Sequence, residues 1–154
     1  MKILKPSIVL VNPQLPENIG LVARAMDNCG LGNLLLVNPR EKWPNNIAIK
    51  SSANSEKIIL KAKIFKSLEK ALSNFNFVIA TSNRKRFLEK PFLKNNEKLF
   101  NLIQNHNKVA IVFGPENSGL SNSDLMLADL IFRIDTAKNN TSLNLSHAVL
   151  LISF

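Results

Sequence analysis

One arginine, one glutamate and a small set of hydroxyl and amide side chains fall in three polar segments of this chain, each beside an apolar run. The first, Asn12-Pro13-Gln14-Leu15-Pro16-Glu17-Asn18-Ile19-Gly20, leads to Arg24. Two prolines fix the turn, Asn18 reads as a helix cap, and Gly20 leaves room for close approach to the backbone. A helix N-terminus with a guanidinium nearby suits a phosphate. The plainer alternative for Arg24 is a surface ion pair with Asp27, three residues on, worth about 0.2–0.5 kcal/mol. The second segment, Gly114-Pro115-Glu116-Asn117-Ser118-Gly119, is a glycine-bracketed turn with one carboxylate. Glu116 could orient a partner or accept from a ligand hydroxyl; it could equally be a plain turn acid. The third, Thr141-Ser142-Leu143-Asn144-Leu145-Ser146, gathers small polar groups just before a closing helix.

Other chemistries lack their residues. The glycine turn has no closing Gly-Lys-Ser/Thr, so it is not a nucleoside-triphosphate loop, and it is not a GxGxxG dinucleotide fingerprint. His106 and His147 are far apart and without a carboxylate cluster, so no metal site is expected. His106 reads as a solvated loop residue, His147 as a helix-face residue. Cys29 is the single cysteine, which leaves no internal disulfide. Trp43 reads as a packing or loop-anchoring residue, although an exposed tryptophan can stack on a base.

These residues must be held by a framework, and 154 residues with 45% hydrophobic content suffice for one folded domain over residues 1–154. No uncharged apolar run of about 18 residues is present, so no membrane span is expected. The opening Met1-Lys2-Ile3-Leu4-Lys5-Pro6 is too short and charged for a secretory leader, which points to the cytoplasm. Twenty basic against eleven acidic residues give a net charge of +9. The excess concentrates at Lys57, Lys61, Lys63, Lys66, Lys70, Arg84, Lys85, Arg86, Lys90 and Lys94. Such a field attracts a polyanion, and nucleic acid is the expected one.

Buried strands are expected at Ser7-Ile8-Val9-Leu10-Val11, Leu34-Leu35-Leu36-Val37, Ile64-Phe65, Phe77-Val78-Ile79-Ala80-Thr81, Val109-Ala110-Ile111-Val112-Phe113 and Leu130-Ile131-Phe132-Arg133-Ile134. Between them the spacing predicts a first helix from Asn18 with Val22, Ala25, Met26 and Cys29 inward and Gly30 as its left-handed stop. Arg24 falls on the opposite side. Further helices are expected near 48–53, after Ser67 through Leu72, over 97–105, from Ser121 through Ala128, and from Asn144 onward. Residues 82–96 read as a long basic loop. Alternating buried strands and helices mean an α/β fold with a parallel sheet covered on both faces.

The wording of the three segments resembles a known family. Asn18-Ile19-Gly20-x-x-Ala23-Arg24-Ala25-Met26, Phe113-Gly114-Pro115-Glu116 and Ser142-Leu143-Asn144-Leu145 are similar to the motifs of the SPOUT superfamily of RNA 2′-O-ribose methyltransferases, in its TrmH/TrmJ branch and with wording particularly like TrmJ. The likeness runs through the whole chain in order and includes Leu34 to Arg40 and Ala80-Thr81-Ser82-Asn83-Arg84.

That resemblance implies a three-layer fold with a C-terminal trefoil knot, which topology rules alone would reject. It implies S-adenosylmethionine bound by Thr81, Ser82, Asn83, Gly114, Ile134, Thr141, Ser142 and Leu143. It implies a homodimer in which Arg24 serves the partner's cofactor, with Asn18, Glu116, Ser142 and Asn144 holding the arginine, the loops and the nucleotide. The implied reaction is methyl transfer to a ribose 2′-hydroxyl of tRNA, at nucleotide 32 of the anticodon loop. Three features depart from the family. The loop before Ser142 reads Asp135-Thr136-Ala137-Lys138-Asn139-Asn140 rather than carrying Asn-Pro and an aromatic. Glu116 is followed by Asn117 instead of arginine. The chain ends at Ser153-Phe154, so a helical C-terminal extension is expected to be absent. The alternatives are ribosomal RNA as substrate, a non-catalytic RNA- or S-adenosylmethionine-binding domain, and an unrelated nucleotide-binding α/β domain. A pure binder has no need of Asn18, Arg24, Glu116, Ser142 and Asn144 together.

Overall fold

Runs of branched and aromatic side chains become strands, and the intervening polar or amphipathic stretches become helices. The computed structural model describes residues 2–83, 89–139 and 142–154. Its strands are β1 (Ser7–Val11), β2 (Leu34–Val37), β3 (Lys63–Phe65), β4 (Phe77–Thr81), β5 (Phe92–Leu93), β6 (Val109–Phe113) and β7 (Leu130–Phe132). They form a seven-stranded sheet in the order β3-β2-β1-β6-β4-β7-β5, and every pairing is parallel. Every residue of β1, β2 and β6 is buried. That pattern belongs to strands covered on both sides, where no face can be left polar.

The strand period of two sends alternate side chains to two separate cores. Ile8, Leu10, Ile111 and Phe113 join α1 (Pro16–Asn28), α3 (Glu56–Lys61), α5 (Asn96–Gln104) and α7 (Leu145–Ser153) on one face. Val9, Val11, Ala110 and Val112 meet α4 (Leu68–Leu72) and α6 (Asn122–Met126) on the other. A short α2 (Asn46–Ser51) lies against α1. Trp43 packs on the first core, in keeping with an anchoring role.

Several local expectations need correction. The first helix starts at Pro16, not after Asn18; its cap position is Leu15, which makes no side-chain cap bond. Proline at the first helical position loses nothing, because that N–H has no intrahelical partner. The single helical stretch near 48–53 is two helices, α2 and α3, separated where Ala53 takes a left-handed φ of 54°. The loop over 82–96 contains β5, which lines up beside β7. The last strand ends at Phe132 and α6 at Met126, both short of expectation. Ser67, Ser121 and Asn144 cap α4, α6 and α7 as their residue types suggest.

Candidate functional site

In an open parallel sheet the carboxyl ends of the strands are where loops can gather around a ligand. Here the loops after β4, β6 and β7 and the start of α7 enclose an open cleft of about 320 Å³. Thr81, Ser82, Asn83, Gly114, Glu116, Ile134, Ser142 and Leu143 line it, together with Phe113, Asn117, Ser118, Gly119, Leu145 and Ala148. Seven of the eight expected cofactor positions therefore share one cleft; Thr141 lies outside the described residues.

Strand geometry fixes its walls. Thr81 Oγ1 donates to the Val112 carbonyl at 2.9 Å, tying the end of β4 to β6. Ser82 N–H donates to the Phe132 carbonyl at 3.1 Å, extending the ladder toward β7. The glycine turn closes on itself through Gly119 N–H to the Pro115 carbonyl at 2.9 Å, with Gly119 at a φ of 69°. A Cβ on Gly114 would fall on the Leu120 N–H and the Gly119 backbone, so this turn has space only for glycine.

Glu116 is not a plain turn acid. Its carboxylate accepts from Gln14 N–H at 2.9 Å, Leu15 N–H at 3.4 Å and Asn18 Nδ2 at 3.1 Å. The anion seated at the start of α1 is thus this side chain, which corrects the expectation of a ligand phosphate there. Asn18 is buried and acts as a donor to Glu116 rather than as a cap. Gly20 is likewise not open to a ligand. A Cβ there would strike Ser51 Oγ and the Ala48 carbonyl, so the group approaching this backbone is α2.

Arg24 is exposed on α1 and does not line the cleft. Asp27 accepts from Ser55 Oγ at 2.9 Å and pairs with Lys57 at 3.5 Å. Arg24 has no ion-pair or hydrogen-bond partner among the described residues. Asn144 stands beside the cleft as the α7 cap, its Oδ1 accepting from Ser146 N–H at 2.9 Å and Ser146 Oγ at 2.7 Å.

The remaining titratable groups are less specialised. No cluster of metal-binding side chains occurs among the described residues. His106 is more than a solvated loop residue: its ring stacks on Phe77 at 4.1 Å, and Nδ1 bonds the Leu102 carbonyl at 2.7 Å. His147 is exposed on α7. Part of the lysine field is structural, for Lys90 Nζ donates to the Met126 and Ala128 carbonyls behind α6, and Lys94 pairs with Asp135 at 3.2 Å. Arg84, Lys85 and Arg86 lie outside the described residues. Phe113 and Leu145 stand in the quoted motifs without an expected site role, and Ala148 carries no sequence signal, because apolar residues at an element's end look like core until the fold exposes one side of them.

Comparison with known proteins adds a lineage to this geometry. The SpoU rRNA Methylase family matches residues 5–154. The chain is 42% identical over 149 residues to the tRNA (cytidine/uridine-2′-O-)-methyltransferase TrmJ of Photorhabdus laumondii, covering 96% of this chain and 61% of that protein. The crystal structure of TrmJ from Z. mobilis ZM4 superposes with a TM-score of 0.91 at 38% identity, covering 96% of this chain and 66% of the other. The SpoU methyltransferase AviRb from Streptomyces viridochromogenes, solved in complex with AdoMet, gives 0.78 at 20% identity over 99% of this chain and 59% of that one, a likeness of fold alone. The chain spans about three fifths of the length of the curated relatives it matches. No helix among the described residues is long and apolar enough to cross a membrane.

Proposed function

The chain belongs to the SpoU rRNA Methylase family, and from that premise we propose that it is an S-adenosylmethionine-dependent methyltransferase acting on a ribose 2′-hydroxyl of tRNA. The observation that carries this reading is the gathering of Thr81, Ser82, Asn83, Gly114, Ile134, Ser142 and Leu143 around one cleft. Those positions were assigned from motif wording alone, across separate parts of the chain. Support for tRNA comes from the names of TrmJ relatives and from the +9 charge. Nucleotide 32 of the anticodon loop is the target that the TrmJ resemblance favours. The family's description names rRNA, which makes ribosomal RNA the second reading.

The residues present fit the cofactor. The cleft's volume is at the lower end of the range of about 300–1,000 Å³ for small-molecule sites, and it combines a glycine turn with apolar walls from Ile134, Leu143 and Leu145. Bound there, S-adenosylmethionine supplies a methyl group on a positively charged sulfur. Backbone groups of the glycine turn and of 142–143 would hold the polar ends, while the apolar walls exclude water from the adenine face. Glu116 and Asn18 lock the turn to α1 and so fix the cleft's rim relative to Arg24.

Arg24 is assigned as an electrostatic clamp. A 2′-hydroxyl is a poor nucleophile, and a guanidinium stabilises the developing negative oxygen without giving up its proton. Arg24 lies six residues, about 9 Å, beyond Asn18 along α1, and does not line the cleft of its own chain. Supply from a partner subunit accounts for this. Leu21 on α1 and Leu150 and Leu151 on the adjoining α7 are exposed apolar residues in the same region, suited to a homodimer interface. The knot of the family's fold is part of the same proposal. Its support is the chain's path after β7, past the glycine turn at Ser142 and Leu143 and back to α1 through α7. A cytoplasmic site of action is part of the same proposal, and a tRNA substrate is in keeping with it.

Incubation with methyl-labelled S-adenosylmethionine and unmodified tRNA, followed by nuclease digestion and mass spectrometry, tests the reading. Label on one ribose is the expected result and names the nucleotide. Label on a base, or none on tRNA or rRNA, would overturn it.

A further inference from the structure

A second cleft lies beside the first, at the carboxyl ends of β1 and β2, and has a volume of about 490 Å³. Asn12, Gln14, Asn38 and Arg40 line it, and Ser118 of the glycine turn lines both clefts. Its floor is built by a repeated local device. Val11 pairs with Val37 in register, and the next residue of each strand, Asn12 or Asn38, takes a left-handed φ of 47° or 48°. Asparagine tolerates that conformation better than other side chains with a Cβ, and its recurrence at neighbouring strand ends marks a constrained surface.

Bonds within this surface leave a defined set of polar atoms. Asn38 Nδ2 donates to Asn12 Oδ1 at 3.3 Å, and Gln14 Nε2 to the Asn12 carbonyl at 2.8 Å. Arg40 N–H donates to the Pro13 carbonyl at 3.1 Å, which anchors the residue's backbone at the cleft. Asn12 Nδ2, Asn38 Oδ1 and Gln14 Oε1 then have no partner among the described residues. The Arg40 side chain has one loose contact, Nε to Glu41 Oε1 at 4.0 Å with both groups exposed, which solvent screens. Lys66 is exposed and directly follows β3, and the Phe65 carbonyl before it accepts from Asn38 N–H at 2.8 Å.

Neutral amides beside a loosely paired, exposed guanidinium match single-stranded RNA. Amides can pair with an unstacked base edge or a 2′-hydroxyl, and a planar guanidinium can bind a phosphodiester bidentately. Building on the RNA methyltransferase reading, we propose that this cleft holds the nucleotide next to the methylated one, with Arg40 on the connecting phosphate.

The test compares wild type with Arg40→Gln and Asn38→Gly; glycine preserves the left-handed backbone while removing the amide. Three quantities are measured for each: tRNA affinity across a salt series, S-adenosylmethionine affinity, and methylation kinetics. Arg40→Gln is expected to raise the Kd for tRNA on the order of tenfold at low salt and to lower the salt slope by roughly 0.7 to 1. Cofactor affinity should be unchanged, with KM for tRNA rising more than kcat falls. Asn38→Gly should weaken tRNA binding without changing the slope. Wild-type methylation with an Arg40→Gln slope equal to wild type would overturn this proposal and leave the enzymatic reading intact. Loss of cofactor affinity in Arg40→Gln would also overturn it. Wild type that neither binds nor methylates RNA would remove the enzymatic reading itself, and the second cleft's role with it.

Discussion

Glu116 carries more of the site's geometry than its place in a turn suggests. One carboxylate takes three donors from residues about 100 positions away in the chain, Gln14, Leu15 and Asn18. Glu116→Gln keeps the size but replaces one acceptor oxygen with a donor facing other donors. Bonds to charged groups contribute about 1.5–3 kcal/mol, so urea denaturation should show a loss of roughly that size. An unchanged midpoint would mean that the turn is held by other contacts. Arg24 presents the opposite case, a charged group without a partner among the described residues. Its replacement by lysine loses the planar fork, and single-turnover methylation should slow by about 10²- to 10³-fold, the scale for removing one donor to a developing oxyanion. Fold stability and cofactor affinity should stay at wild-type values; full turnover would exclude Arg24 as the clamp. Cys29, at the end of α1, has its thiol pushed above the usual range by burial. The raised value means that its contribution to stability is present at neutral pH and is lost as pH rises through the folded value. At pH 8 iodoacetamide should therefore alkylate the folded protein more slowly than the urea-unfolded chain. Equal rates would contradict the direction.

Helix α1 is positioned at its start and along its buried face by groups from other segments. Proline at its first position and the Glu116 carboxylate ahead of it take the place of a side-chain cap. Near the middle of its buried face, Gly20 lets α2 approach to backbone contact. Gly20→Ala would drive a methyl group into Ser51 Oγ, which can rotate, and into the Ala48 carbonyl, which cannot without moving α2. A loss of about 1–3 kcal/mol is expected from such overpacking, read as a lower thermal midpoint. A neutral effect would show that α2 can withdraw freely. The glycine turn obeys the same rule at the cleft. Gly114→Ala must displace the Gly119–Leu120 backbone, so calorimetry should show weakened cofactor binding in a protein that still melts cooperatively.

At the scale of the molecule, the sheet order places β6 between β1 and β4 although the chain visits it long after both. That insertion brings the glycine turn beside the start of α1 and opens clefts on either side of Ser118. If the exposed Leu150 and Leu151 cover a second copy, sedimentation of wild type should give a mass near twice 17.2 kDa. Leu150→Glu with Leu151→Glu should then give monomers that bind cofactor but turn over poorly. A monomeric wild type would remove the basis for Arg24 acting across subunits. Much of this architecture is written locally. Strands β1, β2, β4 and β6 are legible residue by residue, because continuous apolar β-rich runs have few other stable fates than a sheet buried on both faces. Three helix caps are legible because a Ser or Asn side chain satisfies donors only two or three residues away. That Thr81, Gly114 and Ser142 belong to one cleft was legible from motif wording rather than from spacing. Only the tertiary structure decided that Asn18 serves Glu116 instead of capping a helix, that Gly20 receives α2, and that Asn12 and Asn38 stand side by side. These are contacts between segments distant in sequence, chosen by how strands order and helices pack, and no local propensity specifies which distant group a polar side chain or a bare glycine will meet.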